Sequence, residues 1–549
     1  MAKGELEAAI PLASAVQSQL VAGDTKAAST AARELEVHTA RAKAATSGRL
    51  WRGVEWVPLA GPNLEAVRVA SEVVHALALN AVLPASALSI DQLKPIDGRV
   101  DLEALASMGG TVQDARTSVD RSNVELRKLD REALLGPVET GIEQLTSALT
   151  KAGDLLKSLD ETVRVLPDAL GADGPRNYLM MFQNNAESRG TGGNPAAIVM
   201  LTTDDGKIAI TRQSSSADFL NGRPQPIIPL DPATKALYGD KIGRYVQDIT
   251  LTPDFPYTVK LVNAFWAEEF GTRVDGVMSF DPVALSYLLQ ATGPVTLPTG
   301  DTLTAENAVP LLLNEVYYRY TNPKEQDGFF ASAAGSIFEA VTSGKGDTGA
   351  LVAQLSRATE EGRLMYWSEN DAQRKILADS RLSGTLPTDN AKSTVVGAYI
   401  NDNTGSKMDY YLDVASEVAS TQCQSGTPTF TGSVTLTSTV DPAKASDLPD
   451  YISGRFFRAG DISTDVVLYG PVGATIDAVQ VNGHSVKPSY TGQHLGRPAV
   501  KIRVFNVPGA VRKVSYTMTG TSGEYGPLEA RGTPMVRATP VVLSTPGCE

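Results

Sequence analysis

Two cysteines, Cys423 and Cys548, and four histidines, His38, His75, His484 and His494, are all the Cys and His in 549 residues. A zinc site needs about four clustered ligands, so this scatter argues against one. Basic charge is also short. With 49 Lys and Arg against 62 Asp and Glu the net charge is −13, which disfavours binding to nucleic acid or a general attraction to anionic lipid and leaves only local basic pockets. Long apolar runs are missing too: nothing reaches the roughly 18 to 20 uncharged residues of a membrane span, and the nearest stretch, Val73 to Leu88, contains His75, Asn80 and Pro84. The opening Met-Ala-Lys-Gly-Glu-Leu lacks the layout of a secretory signal and runs straight into a helical pattern. It reads either as a cytoplasmic start or as a chain whose membrane anchor lies outside this sequence.

What is present is ordinary globular material, 42% hydrophobic and 20% charged, enough for three or four domains at roughly 150 residues each. The predicted fold class is multidomain α+β. Residues 1–170 read as a helical bundle or stalk, with helices expected at Leu6–Val21, Lys26–Thr46, Leu64–Leu79 and Leu102–Leu129. The clearest signal is Val138, Ile142, Leu145, Leu149, Ala152, Leu156, Leu159, Val163 and Leu166, spaced by four and three in alternation. That stripe demands a partner helix, and Pro137 and Pro167 suit its two ends.

Residues 171–419 mix strand-length apolar runs (Asn177–Phe182, Ala196–Leu201, Lys207–Thr211) with helices near Tyr257–Phe270 and after Pro282, the pattern of an α/β domain. Residues 420–549 are rich in Thr, Val and Gly, with short alternating runs separated by turns such as Asn482-Gly483, which predicts a β-sandwich. The two cysteines are either a staple or two buried thiols; their placement at the ends of this segment favours a disulfide and so an extracytoplasmic home.

The densest polar stretch is Gln183-Asn-Asn-Ala-Glu-Ser-Arg-Gly-Thr-Gly-Gly-Asn, after a strand. Read as a Gly-rich loop it offers Asn184, Asn185, Glu187, Gly192 and Gly193 for binding, with Arg189 as a fork for phosphate or carboxylate. Arg212 and Asp218 follow the next strand, and Arg319 ends a helix with Asp327 eight residues on. A solvated Arg in a tight turn, or one complementing a helix dipole, is the plainer reading of each.

The run Asn177 to Gly193, with Thr250-Leu-Thr-Pro-Asp-Phe-Pro and Val274-Asp-Gly-Val-Met-Ser-Phe-Asp-Pro, resembles the family catalogued as domain of unknown function 4012, found in bacterial envelope proteins. More distantly the same stretch is similar to the LytR-CpsA-Psr phosphotransferases, which move glycopolymers from polyprenyl-pyrophosphate carriers. That resemblance implies a LytR-CpsA-Psr-like central fold, a pyrophosphate held by Arg189, Arg212 and Arg319, and Mg²⁺ held by Asp254 or Asp327. It also implies a lipid-linked glycan or cell-wall glycopolymer as partner, and a membrane-anchored protein of the cell envelope. The sequence departs from the pattern where Gln213, not Asp, follows Arg212 and where Tyr317 replaces one Arg. The alternatives are a non-catalytic scaffold or receptor and, less favoured, a glycoside hydrolase, which needs two carboxylates roughly 5 to 9.5 Å apart.

Overall fold

Ala, Leu, Glu and Lys, with few Gly or Pro, make the first third of the chain helical. The computed structural model describes residues 2–21, 24–57, 60–86 and 94–548. It forms two compact units: the chain up to Arg176 with Thr203–Ile208 and Thr342–Gly344, and a larger unit of Asn177–Thr202, Ala209–Val341 and the chain from Lys345 onward.

The first unit contains α1 (Ala2–Val21), α2 (Thr25–Thr46), α3 (Arg49–Val54), α4 (Gly61–Leu77), α5 (Leu83–Ser86), α6 (Leu102–Arg127) and α7 (Gly136–Ala169). Asp24 accepts from the Ala27 N–H and Asp101 from those of Glu103 and Ala104, which caps α2 and α6. The predicted heptad stripe lies on α7. Ile142 and Leu149 are buried with Ala66 and Val73 of α4 and Val119 and Leu126 of α6, while Val163 joins Leu105 in a neighbouring cluster. The Leu159 side chain falls outside the described residues. Pro167 sits in the last turn of α7 and does not end it.

The helical run Gly61–Ser86 corrects one expectation, since by length and composition it could cross a membrane. A single π-helical turn, Ala78–Val82, stands directly before Pro84, so the helix continues through a residue that removes a backbone donor. Within this unit Ala66, Val73, Ala78 and Ala81 of the run are buried.

The larger unit is built on β1 (Arg176–Arg189), β2 (Gly192–Asp204), β3 (Lys207–Ser215), β4 (Gly276–Phe280), the ribbon β5 (Val295–Thr296) and β6 (Thr302–Leu303), and β7 (Met365–Ser368). The central sheet has the order β3-β2-β1-β4-β7. β1 and β4 run parallel from Tyr178↔Gly276 to Phe182↔Phe280. Three helices, α8 (Pro232–Tyr238), α9 (Phe255–Phe270) and α10 (Pro282–Thr292), flank it, the last two capped by Asp254 and Asp281.

The sandwich begins earlier than residue 420. Its five-stranded sheet, β14-β15-β11-β8-β17, uses β8 (Thr394–Asp402), β11 (Ile462–Tyr469), β14 (Tyr490–His494), β15 (Arg497–Asn506) and β17 (Leu528–Gly532). Its six-stranded sheet, β13-β12-β16-β10-β9-β18, uses β9 (Leu412–Ser420), β10 (Thr429–Ser438), β12 (Thr475–Val481), β13 (His484–Ser485), β16 (Val511–Thr519) and β18 (Val541–Ser544). Thus β8 and β9, predicted for the central domain, pair instead with sandwich strands. The apolar interior is shared as well: Phe280 and Leu285 belong to one buried cluster with Ile400 and Val514, and Trp266 to another with Tyr399 and Tyr469. A common core is why the two predicted domains form one unit. Cys423 and Cys548 are joined by a disulfide, with their Cα atoms 5.1 Å apart.

Candidate functional site

The polar run Gln183–Asn194 is not a solvent-exposed loop. β1 continues through it to Arg189, Gly190-Thr191 makes the turn, and β2 starts at Gly192. A Cβ at Gly190 would lie 2.4 Å from the Leu251 carbonyl oxygen, and one at Gly193 only 2.2 Å from that of Asn184. The glycines therefore serve close backbone packing. The N–H groups expected to cradle an anion are already engaged: Ser188 N–H donates to Asp409 Oδ2 (3.0 Å), Gly190 N–H to Asn401 Oδ1 (3.0 Å) and Gly193 N–H to Gln183 Oε1 (2.9 Å).

Around this hairpin tip lies a buried charge network. Arg189 approaches Asp248 at 3.2 Å and Asp402 at 3.8 Å, and its Nη1 donates to the Ser188 carbonyl at 2.9 Å. Glu187 accepts from Asn194 Nδ2 and pairs with Lys407 at 3.4 Å. The Lys407 ammonium in turn sits 5.2 Å from the ring centres of both Tyr317 and Tyr451, an aromatic cage for a buried cation. Asp402 accepts from the backbone N–H of Thr404 (2.8 Å) and of Gly405 (2.9 Å), which shapes the turn carrying Lys407.

Four carboxylates, Glu187, Asp248, Asp402 and Asp409, thus face two cations, Arg189 and Lys407. Burial works against the Glu187 carboxylate, but Lys407 and Arg189 outweigh it and hold its pKa below the ordinary value. Burial, reinforced by Asp402, pushes Asp409 well above the usual carboxylate range. Like charges this close in low dielectric do not both ionise.

The remaining predicted residues take separate partners. Asn184 Nδ2 donates to Tyr317 Oη (2.6 Å), and Asn185 Nδ2 to Asp281 Oδ2 (2.7 Å) and the Pro534 carbonyl (2.9 Å). Asp281 also pairs with buried Arg363 at 2.8 Å. Arg212 is exposed on β3 and stacks over Phe270, 4.6 Å from its ring centre. Arg319 is exposed and pairs with Asp301 at 2.6 Å and Glu315 at 3.3 Å. Asp218 closes a capping box with Ser215, and burial raises the pKa of Asp327, which bonds the same serine. Arg189, Arg212 and Arg319 therefore hold no partner in common. Of the two carboxylates expected to hold Mg²⁺, Asp254 caps α9, accepting from the Tyr257 N–H at 3.3 Å, and Asp327 bonds Ser215.

An apolar cleft opens beside β1 and β2, walled by Phe182, Ala197, Leu285, Leu312 and Phe330, with Gln183 and Asn184 as polar lining. Sequence reasoning missed this cleft and missed Asp248, Asp402, Lys407 and Asp409. The small pair Ala196-Ala197 inside a strand is a signal for the cleft, because small side chains leave space above a sheet. Nothing in the local sequence around 402–409 points to residue 187.

No curated protein matches the chain. The segment that carries β1–β4, α10, Asp248, Asp281 and Tyr317 is what it shares with a known family: residues 173–317 match the model described as Protein of unknown function (DUF4012).

Proposed function

We propose that this is an extracytoplasmic envelope protein whose central domain receives the apolar end of a lipid-linked, phosphorylated glycan, acting as a receptor and not as a transferase. The observation that carries the reading is the cleft. Its walls are aliphatic and aromatic with a few polar groups at β1, the kind of lining usual for ligand pockets. The disulfide supports an oxidising compartment. Against transfer stand the separate partners of the three arginines. A phosphoryl-transfer site needs positive charge converging on one place.

Fluorescence titration with a short polyprenyl phosphate tests this reading. Saturable binding is expected, weakened about tenfold or more by Ala197→Trp, which fills the cleft. No binding by wild type would remove the proposal. Mg²⁺-dependent transfer of a glycan from a lipid carrier would overturn the receptor half of it.

A further inference from the structure

Lys407, Glu187 and Asn194 meet at one atom. Glu187 Oε2 lies 3.4 Å from Lys407 Nζ and accepts from Asn194 Nδ2, so an amine and a primary amide flank a single carboxylate oxygen. We propose that this is a self-processing site, at which Lys407 and Asn194 become joined by an isopeptide bond with Glu187 as the proton shuttle. The bond would tie β2 of the central sheet to the segment between β8 and β9, whether or not the apolar cleft receives a lipid.

An ammonium is no nucleophile and an amide is a poor electrophile, so the reaction needs a proton shuttle held beside both and water kept away. Lys407 and Asn194 are each 8% exposed, and the rings of Tyr317 and Tyr451 cover the lysine. Glu187 is the one carboxylate paired with Lys407 among the described residues, while neighbouring Arg189 is engaged by Asp248 and Asp402. Burial works against the Lys407 ammonium, but Glu187 outweighs it, so the resting pair is ionic. The reactive form is the minor one, with the proton moved from Nζ to Oε2 and both groups neutral. Each molecule reacts only once and the ammonia escapes, so a minor population is enough.

Asn194 supplies the second, independent observation. Its Oδ1 is buried without a hydrogen-bond partner among the described residues. Buried amide oxygens usually have one, and a protonated Glu187 would donate to this one once the amide turns about its own axis. Nζ then attacks Cγ, the Cγ–Nδ2 bond breaks, and Glu187 passes the proton to the departing nitrogen. In sum an ammonium and a primary amide become a secondary amide and an ammonium ion, with atoms and charge balanced and no oxidant or cofactor required. Pro195 follows Asn194 and has no N–H, so Asn194 cannot instead lose ammonia by cyclising onto the next backbone nitrogen.

Intact-mass measurement of the full chain, incubated to constant mass, then denatured and reduced, tests the proposal. Wild type should weigh about 17 Da less than its sequence, the mass of one ammonia, whereas Lys407→Ala, Asn194→Ala and Glu187→Gln should each keep their full sequence mass. Trypsin should release one branched peptide, Gly190–Lys207 joined through Asn194 to Ser393–Lys444, left uncut after Lys407. Asn194→Asp preserves the shape of the site and should lose about 18 Da, a water in place of the ammonia, which keeps the comparison open where the other variants do not fold. Wild type at its full sequence mass would overturn the proposal. So would an ammonia loss that persists in Lys407→Ala or that maps to another residue, such as Asn482, whose following Gly483 permits cyclisation.

Discussion

Burial and the nearby Asp402 raise the Asp409 pKa, while Lys407 and Arg189 lower that of Glu187, the residue next to Ser188 on β1. Folding raises the Asp409 pKa, so the stability from its neutral form is full below the ordinary carboxylate range and is lost as pH rises through the raised value. Glu187 has the opposite sign, with stability present above its unfolded pKa and lost as pH falls through the lowered one. Asp409→Asn imitates the neutral acid. It should stay within about 1 kcal/mol of wild type near neutral pH and should flatten the decline toward alkaline pH. Urea unfolding over a pH series reads both effects, and parallel profiles for the two proteins would count against the protonation assignment. Glu187→Gln strands a buried ammonium and should cost about 3 to 5 kcal/mol in the same assay. At this scale the sequence is legible in composition and not in role. The density of Asn, Glu, Ser and Arg over 183–194 marks a special place, but burial turned the expected anion loop into a hydrogen-bonded junction. The partners Asp402, Lys407 and Asp409 lie some 200 residues away, a distance that no local pattern spans.

Elements with a strong period were readable, and those defined by their neighbours were not. The heptad of α7 needed only its own residues to be recognised, since nine apolar positions on one stripe have no stable alternative to a helical partner. The Asn482-Gly483 turn was equally explicit, and both residues adopt the positive φ that a tight hairpin requires. By contrast the π turn Leu311–Glu315, set inside the continuous helical run Ala308–Arg319 directly after Pro310, has no periodic signal of its own. Leu149→Asp places a carboxylate among Val119, Leu126 and Ile142 and should cost several kcal/mol, melting the helices of the first unit while the larger unit keeps its fold. Far-ultraviolet circular dichroism measures this directly, and an unchanged helical melt would contradict the packing. In the other unit Gly193→Ala drives a methyl group into the Asn184 carbonyl and should cost about 1 to 3 kcal/mol. Differential scanning calorimetry should find only the larger unit's transition lowered.

The whole molecule divides differently from its composition. The onset of Thr-, Val- and Gly-rich sequence suggests a boundary near residue 420, yet β8 and β9, which precede it, pair with strands beyond it and the central sheet shares its apolar interior with the sandwich. Composition reports which elements form; it does not report which of them bury one another. Two compact units imply two unfolding transitions, and only the larger contains the Cys423–Cys548 disulfide. That bond spans 125 residues and ties the segment between β9 and β10 to the end of the chain. Cross-linking a loop of this length restricts the unfolded chain enough to contribute about 2 to 5 kcal/mol. Cys548→Ser, or reduction of wild type, should therefore lower the transition of the larger unit by several degrees and leave the helical transition where it was. Because both variants remove the same restraint by different chemistry, they should agree with each other. A shift in the helical transition, or no shift in either, would show that the disulfide does not restrain the unit in which it lies.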